Sequence, residues 1–201
     1  MSRATRACPP GARTAIFVEG GDEERIAKRL LGAEPIFYQC FDGRTPENVG
    51  ARTRAASKDP GWLGIRRVGV LLDAEEDLAA SWLLACSVYG QLGIPAPSRP
   101  GVVEVIGPWT VGAWLLPDNH SPGASETLLL RTASAAQLAC IDAFFACTPN
   151  PGGTTARRDK ARAHALAAAV VDGGRPDRIW DEVDPHHPDL AALRGFLLSL
   201  A

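Results

Sequence analysis

Four acids fall within five positions at Asp73, Glu75, Glu76 and Asp77, directly after the apolar run Val68-Gly69-Val70-Leu71-Leu72. Carboxylates this close repel one another unless a cation or a raised pKa compensates. A hard divalent ion such as Mg²⁺ takes oxygen ligands from one or two carboxylates and leaves room for substrate phosphates. The chemistry open to the cluster is therefore metal-assisted work on a phosphate. The same residues also suit the first turn of a helix, where acids complement the dipole. On this stretch alone both readings stand. A second apolar run, Ala15-Ile16-Phe17-Val18, ends at Glu19 and is followed by Gly20-Gly21 and Asp22-Glu23-Glu24. A helix start accounts for the last three acids, with Asp22 as the expected N-cap. It accounts less well for Glu19, because a carboxylate at the tip of a buried strand is costly unless something pairs with it.

The elements that must position these acids follow from the apolar pattern. Val68 to Leu72 is short, continuous and bounded by Arg66-Arg67, which is how a strand buried on both faces reads. Its acids then lie at the carboxyl end, the edge where open α/β sheets bind ligands. Residues 15–19 read as strand, followed by a glycine turn and a helix with Ile26, Leu30 and Leu31 on one face. Pro35 to Phe41 reads as a third strand, Asp42-Gly43 as a turn, and Pro46 to Ser57 as a polar helix. After Asp77 comes a helix with Leu78, Trp82, Leu83, Cys86 and Tyr89, closing at Gly90. Val102 to Ile106 and Val111 to Leu116 read as two further strands, a hairpin or edge pair with Pro108-Trp109 as the turn. A helix opens at Glu126, and the remainder is helical: an amphipathic helix over Ala135 to Cys147, a loop over Thr148 to Thr155, a helix from Arg157 to Val171 ended by Asp172-Gly173-Gly174, and a last helix with Leu190, Leu193, Phe196, Leu197 and Leu200. Strands alternating with helices predict an α/β fold with a mainly parallel central sheet flanked by helices, plus a helical C-terminal third. The expected organisation is one domain over residues 1–201, with a core of about 13–131 and a helical part over about 135–201.

Other polar groups are weaker candidates. The loop Pro117 to Gly123 offers Asp118, and His120 in it reads as a polar surface residue. Arg157-Arg158-Asp159-Lys160-Ala161-Arg162 is the most basic stretch, four positive residues in six, and it opens a helix against the dipole preference. Lys160 or Arg162 could meet a phosphate or an acid cluster; a solvated face is the alternative. His186-His187 with Asp181 and Asp184 suggests a metal site, but the flanking prolines and the lack of i,i+4 spacing favour a capped turn.

Composition bounds the rest. Hydrophobic residues make up 46% and charged residues 22% of the 201, an ordinary globular balance. The net charge of −2 carries no global basic excess for nucleic acid. Five cysteines without a CxxC predict reduced thiols and a cytoplasmic setting rather than zinc or disulfides. Met1 to Arg13 lacks the apolar core of a signal peptide, and no run of eighteen apolar residues predicts a membrane span.

Several of these pieces together resemble one family. Phe17-Val18-Glu19-Gly20-Gly21-Asp22 is similar to the first motif of a Toprim domain, a strand ending in Glu-Gly. Val70-Leu71-Leu72-Asp73-Ala74-Glu75 is similar to the second, a strand ending in Asp-x-Asp, with Glu75 in place of the second Asp. Trp114 to Asn119 with Ser121-Pro122-Gly123, Asp159-Lys160-Ala161-Arg162, and Trp180-Asp181 with His187-Pro188 and Leu193 to Leu198 resemble the small Toprim-like proteins of the DUF3226 family. The resemblance covers nearly the whole chain.

What it implies is a compact Toprim-like fold in which Glu19 and Asp73 meet at the carboxyl edge of adjacent strands. Toprim domains occur in topoisomerases, primases and nucleases of the overcoming-lysogenization-defect type, which act on phosphodiesters with Mg²⁺ or Mn²⁺. The resemblance therefore implies a metal-dependent phosphodiester hydrolase with nucleic acid as substrate. Asp73, Glu75 and Asp77 are its candidate metal ligands, and Glu19 either completes the shell or acts as general base. Asp118 or Glu126 is a candidate for a second metal, and Lys160 or Arg162 for stabilising phosphate charge. The other expectation is a non-catalytic interaction module working with a protein partner, such as an ATPase, in the manner of Toprim-like proteins of bacterial defence systems.

Overall fold

The computed structural model describes residues 7–147, 154–171 and 178–201. Five strands, β1 (Thr14–Val18), β2 (Ile36–Cys40), β3 (Arg67–Asp73), β4 (Val103–Ile106) and β5 (Trp109–Leu116), form one sheet in the order β2-β1-β3-β5-β4. β1 pairs in parallel with β2 and β3, β3 in parallel with β5, and only β4 runs antiparallel, as a hairpin with β5. The continuous apolar runs of β1 and β3 need cover on both faces, and helices supply it. Ile16, Val18, Leu71, Trp114 and Leu116 face one layer, built with α1 (Gly21–Leu31), α4 (Ser125–Arg131), α6 (Thr155–Val170), α7 (Ile179–Glu182) and α8 (Ala191–Leu200). Ala15, Phe17, Val68, Val70, Leu72, Val111, Ala113 and Leu115 face the other, built with α2 (Pro46–Ser57) and α3 (Leu78–Leu92). The fold is thus mixed α/β, with a mostly parallel sheet between helical layers and a helical C-terminal region.

Close packing holds the strand ends in place. Phe17 is fully buried and stacks on Phe41 at 5.8 Å between ring centroids; a side chain of this kind contributes about 1.5–3 kcal/mol by burial. The Tyr89 hydroxyl, wholly buried, donates to the Gly112 carbonyl at 2.6 Å. A Cβ at Gly69 would stand 2.2 Å from Leu200 Cδ2, so the glycine of β3 is what lets α8 lie against the central strand.

The topology makes one crevice. From β1 the chain goes to β2 on one side and returns to β3 on the other, so the carboxyl ends of β1 and β3 lie at a switch point. Val18 is level with Leu71, which puts Glu19 one residue and Asp73 two residues past the last paired level.

Several boundaries differ from the expectations. Gly20, not Asp22, is the N-cap of α1. α3 runs past Gly90 to Leu92, where Gly93 at φ 67° takes the left-handed cap that favours glycine. The hairpin turns at Gly107-Pro108, with Trp109 already paired in the strand. α6 starts at Thr155, capped by the Thr154 side chain accepting from Arg157 N. On α5 (Ala135–Cys147) Ile141 is buried and Leu138 and Phe145 pack, partly buried, against the same core, so the expected inward face forms, with Phe144 left exposed. Of the expected loop over 148–155, residues 148–153 lie outside the described residues, as does the Asp172-Gly173-Gly174 stop. No helix among the described residues is long and apolar enough to cross a membrane.

Candidate functional site

Three carboxylates converge at the switch point. Glu19 follows β1, Asp73 ends β3, and Glu75 follows two residues later; each offers an oxygen within 4.8 Å of the others. Glu75 reaches the group from a left-handed backbone, φ 54°. That conformation is fixed by a reciprocal pair of backbone hydrogen bonds with Gly123, each 2.7 Å. Asp73 is buried, and its Oδ1 accepts from the backbone N–H of Ser125 at 2.8 Å. Glu19 Oε2 is a buried oxygen with no hydrogen-bond donor.

The electrostatics follow from burial and crowding. Asp73 is pushed well above the usual aspartate range by burial, then by the neighbouring charges of Glu23, Glu19 and Glu126; the Ser125 N–H opposes this. Glu19 is raised by burial, against the pull of Arg44. Glu23 is raised to about 7 by burial and by Glu19, although its Oε2 accepts the Gly20 N–H at 2.7 Å and so closes the N-terminus of α1. Acids whose charged forms are disfavoured by burial and by one another are an arrangement a divalent cation relieves.

The carboxylates line a cleft of about 470 Å³ whose other wall includes Ser125, Glu126, Thr154, Arg157 and Lys160. Lys160 Nζ lies 3.6 Å from Glu126 Oε1 and is largely exposed. α6 is anchored beside the cleft by Asp159, which accepts from the Thr127 hydroxyl at 2.7 Å.

The other expected residues fall elsewhere. Asp77 caps α3, its Oδ1 accepting from Ala80 N at 3.0 Å, and it neither joins the three carboxylates nor lines the cleft. Asp118 is also outside the cleft. It accepts from His120 N, Ser121 N and Arg131 Nη2 and shapes the turn after β5. Burial works against it, but the Arg131 guanidinium and the two turn N–H groups hold its pKa down at about 2. Of the two residues named for a second metal, Glu126 is therefore the one the structure brings to the cleft. Arg162 pairs with Asp142 of α5 at 2.7 Å instead. His186 and His187 sit in a capped turn, where His187 Nδ1 accepts from Asp189 N and Asp184 Oδ1 accepts from His186 N. His120 is exposed.

Sequence reasoning missed Arg44. Its guanidinium donates from Nη1 to the Asp73 carbonyl at 3.0 Å and from Nη2 to Ser81 Oγ at 2.5 Å. Nη1 also lies 3.4 Å from Glu19 Oε2 and 3.7 Å from Glu75 Oε1. The available signal was position: Arg44 follows the carboxyl end of β2, on the same sheet edge as Glu19 and Asp73.

The fold and site define a doubly layered α/β protein with an acidic centre at its strand ends. The chain belongs to the DUF3226 family, described as "Protein of unknown function (DUF3226)", whose pattern matches residues 13–201. Searches against curated proteins and against solved structures found no match.

Proposed function

We propose that this protein is a Toprim-like, Mg²⁺- or Mn²⁺-dependent phosphodiester hydrolase acting on nucleic acid. The observation that carries the reading is the convergence of Glu19, Asp73 and Glu75 at the switch point, in a cleft that Arg157 and Lys160 also line. The donor set fits a hard divalent ion: crowded all-oxygen ligands, buried at Asp73 and half-buried at Glu19 and Glu75, with one orphaned carboxylate oxygen on Glu19. Asp73 and Glu75 would hold the ion, and Glu19 would either complete the set or take the proton of the attacking water. When bound, the ion supplies Lewis-acid polarisation of a phosphoryl oxygen and a more acidic water.

The chain's own groups do the remainder. Burial raises the pKa of Glu19 above the usual carboxylate range, which makes it a stronger proton acceptor than a solvated glutamate. Arg157 and Lys160 offer positive charge to the phosphate, and Glu126 orients Lys160. The Ser125 N–H fixes Asp73 so that its second oxygen is free for the cleft.

The test is titration of Mn²⁺ and Mg²⁺ into the wild type and Asp73→Asn, with cleavage assays on plasmid DNA and RNA in the same buffers. Binding lost in the variant together with metal-dependent cleavage by the wild type is the expected result. Binding without cleavage would favour the interaction module, with the ion structural and an ATPase-type partner to be sought. Absence of binding would overturn both the metal site and the hydrolase.

A further inference from the structure

Arg44 occupies an unusual position for a cation in a site meant for a metal. Its guanidinium is tethered from behind at two points: Nη1 to the Asp73 carbonyl, and Nη2 to Ser81 Oγ, which itself donates to the Ala74 carbonyl at 2.9 Å. Ser81 is wholly buried in α3, so this tether is rigid. The charge is thereby fixed within 4 Å of both Glu19 and Glu75. Yet it makes no aligned hydrogen bond to Glu19 Oε2, which keeps its lone pairs unspent. Charge is supplied without the coordination that would use up the oxygens.

We propose that Arg44 is a resident counter-cation that competes with the divalent ion for the carboxylate triad and so sets the affinity of the site. This rests on the reading of Glu19, Asp73 and Glu75 as metal ligands. The reasoning is electrostatic. Three carboxylates facing one another at two strand ends oppose folding before an ion arrives, and a fixed guanidinium offsets part of that repulsion. The same charge repels the incoming ion, so the triad binds it reversibly and more weakly than three free carboxylates would. Glu126 is engaged with Lys160 and Glu23 is turned onto the Gly20 N–H, so Arg44 is the cation nearest the three ligand oxygens among the described residues.

The sign of the effect separates this role from a structural one. Loss of a clamp weakens metal binding; loss of a competing cation strengthens it. Mn²⁺ affinity, read from the free-ion electron paramagnetic resonance signal, is compared for wild type, Arg44→Gln and Arg44→Lys, each checked for folding by circular dichroism. Arg44→Gln is expected to bind Mn²⁺ at least about tenfold more tightly, since a like charge within 4 Å of the ligands is removed. Arg44→Lys, which keeps the charge, is expected to stay close to wild type. Unchanged or weaker binding by Arg44→Gln overturns the proposal. If Arg44→Gln does not fold, Arg44→Met serves: it removes the charge and keeps an unbranched side chain of similar length. Tighter binding then supports the proposal, and unchanged or weaker binding overturns it. Asp73→Asn in the same series keeps the two readings apart. If wild type binds and Asp73→Asn does not, the ligand assignment stands and Arg44→Gln alone decides; if no protein of the series binds, both fall.

Discussion

Asp73 Oδ1 accepts a 2.8 Å hydrogen bond from the backbone N–H of Ser125, the first residue of α4. One bond thus ties the end of the central strand to the start of a helix 52 residues away and fixes which oxygen of Asp73 remains for the cleft. It also lowers the cost of a carboxylate that burial and three acidic neighbours otherwise push toward protonation.

Asp73→Asn preserves an oxygen for the Ser125 N–H while removing the charge. Outer-sphere changes cost about 10–100-fold in metal affinity, so loss of Asp73 as the proposed ligand is expected to cost at least about 100-fold. Without metal, relief of carboxylate repulsion is expected to raise the melting temperature at pH 8 by a few degrees, since about 1 kcal/mol corresponds to roughly 2–4 °C at this size. Calorimetry for binding and thermal scans in chelator check the two halves. A folded Asp73→Asn that still binds Mn²⁺ as tightly as wild type would refute the assignment.

The metal-free protein is expected to lose stability as pH rises. Glu23 is raised from 4.5 to about 7, and Asp73 and Glu19 are raised as well. The folded state therefore holds more protons than the unfolded state between these values, and stability falls with pH wherever that is so. The contribution of Glu23 is fully present below about 4.5 and lost as pH passes about 7. Its size is on the order of 3 kcal/mol. Urea denaturation from pH 5 to 8 in chelator measures it. On the proposed metal site, saturating Mn²⁺ is expected to flatten or reverse the slope, because an ion takes the deprotonated carboxylates as ligands.

The parts of the site that were legible in the sequence share one physical feature. An uninterrupted apolar run states where a strand ends, so Glu19 and Asp73 could each be placed at a strand's carboxyl end from pattern, while their meeting on adjacent strands came from the family resemblance. Polar residues outside such runs carry no comparable label. Asp77 as a helix cap and Asp118 as a turn former look the same in sequence as metal ligands, because both roles use a carboxylate that accepts from nearby donors. Arg44 reads as any charged residue of a turn until the sheet order shows that β2 ends beside β1. α5 was legible for the same reason as the strands: Leu138, Ile141 and Phe145 turn inward as their spacing states, and Phe144 beside them stays exposed.

Asp118 supplies a negative control for the proposed metal site. Its hydrogen bonds run to the turn after β5 and to Arg131 of α4, not to the cleft. Asp118→Asn is expected to cost about 1 kcal/mol of stability through a weakened Arg131 contact. Mn²⁺ affinity is expected to stay within about twofold, as for a site that shares no partner with the triad. Its low pKa adds stability only above the unfolded value of 3.8, lost as pH falls through about 2, so it plays no part in the pH slope near neutrality. A large fall in Mn²⁺ affinity would place Asp118 among the ligands.

Glu75 sets stability against binding. Its φ of 54° is a conformation that costs a residue with a Cβ roughly 1–2 kcal/mol, and glycine adopts it freely. The reciprocal bonds to Gly123 are made by backbone atoms, so they survive any side chain at this position. Glu75→Gly is therefore expected to be more stable than wild type by about 1 kcal/mol in urea, while binding Mn²⁺ at least about tenfold more weakly. Removal of a carboxylate also relieves repulsion, so the comparison that isolates the backbone is with Glu75→Gln, which loses the charge and keeps the Cβ. Both variants are expected to bind Mn²⁺ weakly, with only the glycine gaining the backbone term. If Glu75→Gly were no more stable than Glu75→Gln, the left-handed turn would carry no measurable strain. In that case the presence of Glu at position 75 would owe nothing to a balance between folding and the site.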